Sequence, residues 1–136
     1  MATWVDYNND GQMDLFIATG EGRDYWDLWF KNITLPNSFK MFKNMGNTNN
    51  WLNIRLVGTK SNREGIGAKI MLKTKEGVQY HEVNHGSNGF TQDVLPTHFG
   101  LGKVQTIDYI KVKWPSGTEQ TILEPTVNKT LTIIES

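Results

Sequence analysis

The chain has 136 residues, enough for one domain of ordinary size or for one domain and part of another. Apolar residues make up 38% of the sequence and charged residues 21%, which is close to the globular average and argues against general disorder. Lys and Arg balance Asp and Glu at 14 each, and neither half shows the basic excess typical of nucleic-acid-binding domains.

The sequence also predicts that the chain has no membrane span and no disulfide. No stretch approaches the roughly 18 continuous apolar residues of a membrane span, and the first residues lack the charged-then-apolar order of a secretion signal. The absence of cysteine excludes disulfides and thiolate metal sites.

The first notable element is an acidic loop, residues 6–14, in which oxygen-bearing side chains recur at every second position. Calcium takes roughly six to eight oxygen ligands, and a glycine in such a loop permits the sharp turn around the ion. Gly11 stands at the matching point. We therefore predict Ca²⁺ as the cofactor, with these ligands: Asp6, Asn8, Asp10, Gln12 through its backbone carbonyl, and Asp14.

Electrostatics favours an ion in the acidic loop, and the flanking residues favour strands. Two carboxylates about 4 Å apart repel by roughly 4 kcal/mol at an effective dielectric of about 20, and a bound dication reverses that sign. Ile17 replaces the glutamate that a helix-loop-helix calcium site needs, and the flanks, residues 4–5 and 15–17, are strand-like. The alternative is a metal-free hairpin turn, since Asn, Asp and Gly also dominate turns.

An aromatic cluster at residues 24–30 follows the loop. Trp26 and Trp29 are candidate ligand-binding residues on a sugar-stacking platform, and the alternative is that they fill a small apolar core. A short strand is predicted at 39–44, before a turn-forming run rich in Asn and Gly.

Beyond Asn50, apolar and polar residues alternate with period two, which predicts half-buried strands. The predicted strands are 52–56, 66–72, 78–83, 107–114, 118–123 and 130–134. Pro115-Ser116-Gly117 fits a type I turn with proline at its second position. Because no helical periodicity intervenes, we predict an all-β fold, an antiparallel β-sandwich preceded by the strand-loop-strand calcium hairpin.

A polar turn, residues 61–65, separates the first two strands of this sandwich. Arg63 is a candidate contact for an anionic ligand, because sandwich proteins often place recognition residues on loop rims. The alternative is a turn in which Arg63 simply faces water.

Four motifs give the chain a resemblance to a known family. They are Asn50-Trp51-Leu52, the run from Leu56 to Ala68, His98-Phe99-Gly100-Leu101-Gly102, and Val112-Lys113-Trp114-Pro115-Ser116-Gly117. With these motifs, residues 50–135 resemble the ASPIC/UnbV domain of cartilage acidic protein relatives and bacterial exported proteins. Residues 6–15, with Phe42-Lys43-Asn44, look like one FG-GAP or VCBS repeat, the calcium-bearing unit of β-propellers. The same five residues of the acidic loop match that repeat's calcium ligands.

The resemblance implies two domains, 1–49 as a partial FG-GAP/VCBS-like repeat with a linker and 50–136 as the sandwich. Family members carry several repeats that close a propeller, whereas this chain has room for part of one. We therefore expect a fragment of a larger protein. Because the edges of its lone blade are unprotected, we expect this blade to lie on the C-terminal sandwich, to pair with another chain or to serve as a minimal cap.

Catalytic motifs are absent from the sequence: it contains neither a Gly-x-Ser-x-Gly elbow nor a phosphate-binding loop. His81 and His85 would stand roughly 13 Å apart on a strand, too far for one metal ion. His98 fits a turn or packing role better than that of a base.

The function expected from these features is that of a non-enzymatic extracellular binding or adhesion module, at the cell surface or in the periplasm, that contacts carbohydrate or protein. The alternatives are an accessory or catalytic part of a polysaccharide-active enzyme, and a purely structural terminal domain. The calcium loop favours the extracellular setting, because three acids without a bidentate Glu suit roughly 0.1–1 mM calcium.

Overall fold

The computed structural model describes residues 2–19, 38–84 and 96–136, which form ten β-strands and no helix. The strands are β1 (Ala2–Val5), β2 (Asp14–Thr19), β3 (Ser38–Phe42), β4 (Asn50–Val57), β5 (Lys69–Thr74), β6 (Gly77–Glu82), β7 (Thr97–Gly102), β8 (Tyr109–Lys113), β9 (Glu119–Leu123) and β10 (Lys129–Ile134). In these described parts of the chain, no helix is long and apolar enough to cross a membrane. The chain divides into two units, Met1–Gly46 and Asn47–Ser136.

The N-terminal unit contains a three-stranded antiparallel sheet in the order β1-β2-β3. Leu15 on the central strand pairs with Trp4 on one side and with Phe42 on the other. The next residue, Phe16, points to the opposite face, where its ring stacks on Phe39 at 6.2 Å between centroids. Both faces of this small sheet therefore carry large apolar side chains. Apolar residues on both faces are typical of a sheet that is packed against other structure on both sides.

The C-terminal unit is a sandwich of two sheets with the strand orders β10-β4-β7 and β6-β5-β8-β9. Its core consists of side chains that alternate along the strands, together with a few from the segments next to them. The strands supply Leu52, Ile54, Leu56, Ile70, Leu72, Phe99, Leu101, Ile110, Val112 and Ile133, and the adjoining segments supply Ala68, Val104, Ile107 and Trp114. The alternation of buried and exposed residues explains why these segments became strands, because only one face of each sheet meets the core. The predicted all-β sandwich is confirmed.

Besides the start of β5, which lies at Lys69 and not at the predicted residue 66, two details of the sandwich differ from the predicted strands. First, β10 runs parallel to β4. The chain crosses from the four-stranded sheet to the three-stranded sheet between β9 and β10, so β10 is not the hairpin partner of the strand before it and is free to pair in parallel. Second, residues 97–102 form a strand, β7, which the sequence analysis treated only as a family motif. Its two glycines weaken the strand pattern, and pairing with β4 overrides that weakness.

Glutamine side chains join the edges of the two sheets. The Gln79 side-chain amide on β6 donates to the carbonyl of Gly100 on β7 at 2.9 Å. At the other edge, the Gln120 amide on β9 donates to the carbonyl of Ile134 on β10 at 2.9 Å, and its oxygen accepts from the Ser136 amide at 3.2 Å. These contacts satisfy edge groups that a strand would otherwise present to another chain.

Candidate metal centre

The acidic loop joins β1 to β2 and wraps around the carboxylate of Asp6. One oxygen of Asp6 accepts from the Asp10 amide at 3.0 Å, and the other accepts from the Gly11 amide at 2.9 Å. Two left-handed residues, Asn9 at φ 58° and Gly11 at φ 82°, turn the chain so that these amides point inward. Asn and Gly are the residues that adopt this conformation at least cost.

Asp10 stands at the centre of the loop and remains charged to low pH. One of its oxygens accepts from the Gln12 amide at 2.9 Å, and the other accepts from the Asn8 side-chain amide at 2.8 Å. These bonds, with that from Gln12 the strongest, lower the pKa of Asp10 below its usual 3.8. A carboxylate that stays ionised remains available as a cation ligand.

Asp14, the last predicted ligand, is fully buried at 0% exposure. Its Oδ1 accepts from the backbone amide of Asn44 at 2.7 Å, and the Asn44 side chain donates to the Met13 carbonyl at 3.3 Å. Asp14 Oδ2 is also buried but has no hydrogen-bond partner. A buried carboxylate oxygen without a partner is costly, and a cation is a partner that would remove the cost.

The donor chemistry of the loop fits a hard cation, although the acids are not gathered around one point. Within residues 2–19, 38–84 and 96–136, no three His, Cys, Asp or Glu side chains lie close enough to hold a metal ion. Asp6 and Asp10 direct their oxygens to loop amides, and each such oxygen keeps a second lone pair for an ion. The five-residue ligand set therefore remains a prediction, and the unpartnered oxygen of Asp14 is the feature that supports it.

The other predicted ligand-binding residues are separate from this loop in the sequence. Trp26 and Trp29 lie outside the described residues, as does His85. Arg63 is exposed on the 58–67 loop of the C-terminal unit, which Asn62 closes through two hydrogen bonds to the backbone of Ile66. The role of Arg63 as an anion contact stays a prediction.

A carboxylate clamp at the C-terminus is the polar cluster that the sequence analysis missed. Glu135 is 3% exposed. Its Oε2 accepts from the amides of Thr59, Lys60 and Ser61 at 2.9, 2.8 and 2.7 Å, and its Oε1 accepts from the hydroxyls of Ser61 and Ser116 at 2.9 and 2.5 Å. A glutamate at the end of a Thr/Ile-rich strand gives no sequence signal for such a role.

Two further polar features lie in the C-terminal unit, a histidine contact and a groove. His98 Nδ1 lies 2.8 Å from Asn53 Oδ1, and its ring stacks near Trp51 at 6.4 Å. A groove of about 410 Å³ beside β8 and β9 is lined by two carboxylates, those of Asp108 and Glu124. The contacts of the His98 imidazole are those of a packing residue. The groove is the place where a pair of carboxylates would have to act if the chain cleaved a polysaccharide.

The family comparison covers most of the C-terminal unit. The profile of the family "ASPIC and UnbV" matches residues 58–136, which is more than half of the chain. This range includes β5 to β10 and Glu135. No curated protein matches the chain. The protein belongs, through this sandwich, to the ASPIC and UnbV family.

Proposed function

We propose that this chain is a calcium-stabilised, non-enzymatic binding module of an extracellular or cell-surface protein, which contacts carbohydrate or another protein. The observation that supports it is the buried Asp14 carboxylate, which has one unpartnered oxygen at the end of a loop with two further acids. A bound calcium ion would supply positive charge and oxygen coordination at this point. Asp6, Asn8, Asp10, Asp14 and the Gln12 carbonyl would hold it.

The proposal includes the N-terminal unit as one blade-like repeat of the FG-GAP or VCBS type. Three features support this: the acidic loop connects adjacent antiparallel strands, Asn44 after β3 donates to Asp14, and both faces of the sheet are apolar. Trp4, Phe39 and Phe42 are more than half exposed. In a larger propeller, neighbouring blades would cover such faces.

Calcium titration gives the first prediction. We expect saturating calcium to stabilise the N-terminal unit by about 1–3 kcal/mol, because an ion that binds only the native loop adds stability by mass action. Asp14→Asn, which keeps the shape and removes the charge, should abolish that gain, and so should Asp10→Ala. In chelator, Asp14→Asn should be neutral or stabilising, since it replaces a buried carboxylate that has one unpartnered oxygen. Calorimetric titration and thermal melts measure both effects.

The matched control for calcium is Glu82→Gln, which removes an exposed carboxylate on β6 in the other unit. It should leave the calcium response unchanged. Magnesium at the same concentration should have a smaller effect, because it demands a stricter octahedral site. A full calcium response in Asp14→Asn would refute the ligand assignment.

Self-association of the N-terminal sheet is the second prediction. Its exposed apolar side chains, among them Phe39 at 77% exposure, should make the chain associate at high protein concentration. Replacing Phe39 and Phe42 with Ser should reduce the association measured by sedimentation, whereas Tyr80→Ser, on the C-terminal unit, should not. A concentration-independent monomer for the unaltered chain would contradict the prediction.

The enzymatic alternative depends on the groove that holds Asp108 and Glu124. Paired carboxylates are the side chains that glycoside hydrolysis uses. If polysaccharides are cleaved by the chain, and if this activity is lost in Asp108→Asn and Glu124→Gln, the enzyme hypothesis replaces the binding hypothesis. Binding without turnover on a glycan array, read with and without chelator, supports the binding module.

A further inference from the structure

The outer face of the four-stranded sheet carries an ordered grid of cations and tyrosines. On β5 and β8, Ile70, Leu72, Ile110 and Val112 face the core, so the intervening residues face outward. The strand register places Met71 between Tyr80 on β6 and Lys111 on β8. One step further along, Lys73 lies beside Tyr109. These five residues, Met71, Lys73, Tyr80, Tyr109 and Lys111, are called the lysine–tyrosine face below.

Next to this face, a second row of outward-facing residues crosses the same four strands, and its charges cancel. There the register runs Glu82, Lys69, Lys113, Glu119 across the four strands. Lys113 Nζ lies 3.7 Å from Glu119 Oε1, and Lys69 is opposite Glu82. This row is therefore neutral as a whole.

The lysines of the lysine–tyrosine face are not neutralised in this way. The cross-strand neighbours of Lys111 are Met71 and Thr121, and those of Lys73 are Val78 and Tyr109. No carboxylate stands directly opposite either lysine in the register of β5, β6, β8 and β9, and Glu119, which is diagonal to Lys111 on β9, is paired with Lys113. Two cations, diagonal neighbours roughly 7–8 Å apart, therefore remain available to a partner.

Aromatic rings accompany these two cations. Tyr80 is 74% exposed in the middle of its strand, and Tyr109 is half-buried beside Lys73. Tyrosine offers a flat apolar ring and a hydroxyl, and it orders on binding at low entropic cost. The two rows thus combine one cation each with apolar or aromatic neighbours on strands spaced about 4.8 Å apart: Tyr80 and Met71 precede Lys111 in one row, and Val78 and Tyr109 flank Lys73 in the next.

We propose that the lysine–tyrosine face binds an anionic polysaccharide, whose sugar rings pack on Tyr80 and Tyr109 and whose carboxylate or sulfate groups pair with Lys73 and Lys111. This inference rests on the proposed binding function and assigns it a ligand class and a surface. The face places two aromatic rings next to two cations, and it therefore suits an extended polymer that carries both sugar rings and anionic groups.

The number of cations argues against the other polyanions. Proteins that bind duplex DNA neutralise roughly 6–10 phosphates, and recognition of anionic lipid uses clusters of roughly 4–8 basic residues. Two uncompensated lysines fall short of both. A polysaccharide site needs fewer, because ring packing supplies much of its affinity.

The test uses the full chain, in chelator, with polygalacturonate as the anionic probe and its fully methyl-esterified form as the neutral one. We expect binding to polygalacturonate alone, weakened by raising NaCl from about 50 mM to about 500 mM as the Debye length shortens. The double variant Lys73→Gln/Lys111→Gln should bind roughly tenfold more weakly, and Tyr80→Ala roughly three- to tenfold more weakly. The matched control, Lys40→Gln/Lys129→Gln, removes two exposed lysines from other sheets and should bind as the unaltered chain does.

Each outcome decides the inference. Selective loss in the lysine–tyrosine variants, with melting temperatures unchanged, supports it. Equal loss in the control, equal binding of the ester, or tighter binding of single-stranded DNA or of phosphatidylserine vesicles overturns it. If neither polygalacturonate nor a sulfated polysaccharide binds while a neutral glycan or a protein binds, this inference fails and the proposed binding function stands. If polygalacturonate binds but no calcium response is found, the calcium part of the proposed function fails and this inference stands.

Discussion

Glu135→Ala is expected to lower the melting temperature of the C-terminal unit by roughly 10 °C or more. The Glu135 carboxylate accepts five hydrogen bonds, three from consecutive backbone amides of residues 59–61. Its removal leaves those donors without an acceptor in a part-buried position, and unsatisfied donors cost more than the lost bonds themselves. Thermal melts monitored by circular dichroism measure the effect.

Glu119→Gln is the matched control for this substitution. Glu119 lies on an exposed strand, and its ion pair with Lys113, at 3.7 Å, is solvent-accessible. Such pairs contribute little, so the melting temperature should change by no more than about 2 °C. Equal destabilisation by the two substitutions would show that the clamp has no special role.

The same clamp predicts a specific dependence of stability on pH. Burial raises the pKa of Glu135, but the hydrogen bonds from Ser116 and from the amides of Ser61, Lys60 and Thr59 outweigh burial and lower the pKa from 4.5 to about 2. Because the folded pKa is depressed, the stabilisation is complete above about pH 4.5 and is lost as the pH falls through about 2. The difference in unfolding free energy between the unaltered chain and Glu135→Gln should therefore shrink between these two values. A pH-independent difference in denaturant titrations would contradict the assignment.

Gly58→Ala is the second substitution with a large expected effect, about 2–3 kcal/mol of lost stability. A Cβ at Gly58 would lie 2.1 Å from the carbonyl oxygen of Asn62, a backbone atom that cannot move aside alone. The Gly58 amide also donates to the Arg63 carbonyl at 2.9 Å, which closes the loop that presents its amides to Glu135. Urea titration of the variant measures the loss.

Gly100→Ala provides the control for Gly58→Ala, because a Cβ at Gly100 meets no atom within 4 Å. Its stability should change by less than about 0.5 kcal/mol. Since Gly58 and Glu135 act through one loop, combining Gly58→Ala with Glu135→Ala should cost less than the sum of the two. Strict additivity would show that the loop and the clamp are independent.

Much of the sandwich could be predicted because its strands obey a local rule. Ile110, Val112 and Trp114 recur at every second position, and all three are buried. Residues 97–102 bury every second side chain as well, but Gly100 and Gly102 give them a weak strand signal in the sequence, and their pairing with β4 decided the outcome. The parallel pairing of β10 with β4 was also beyond prediction, because strand direction depends on where the connecting chain crosses between sheets.

The sequence by itself determined the all-β class, the buried faces of most strands and the order of oxygen-bearing residues in the acidic loop, because each is a periodicity within a few neighbouring positions. Only the tertiary structure decided that Asp14 is buried with one oxygen unpartnered, and that Glu135 meets amides some 75 positions earlier in the chain. It also decided that Lys73 and Lys111 share a face without an opposing acid. These features depend on strand register and on long-range packing, because register and packing decide which distant side chains meet. Local sequence patterns do not encode either of them.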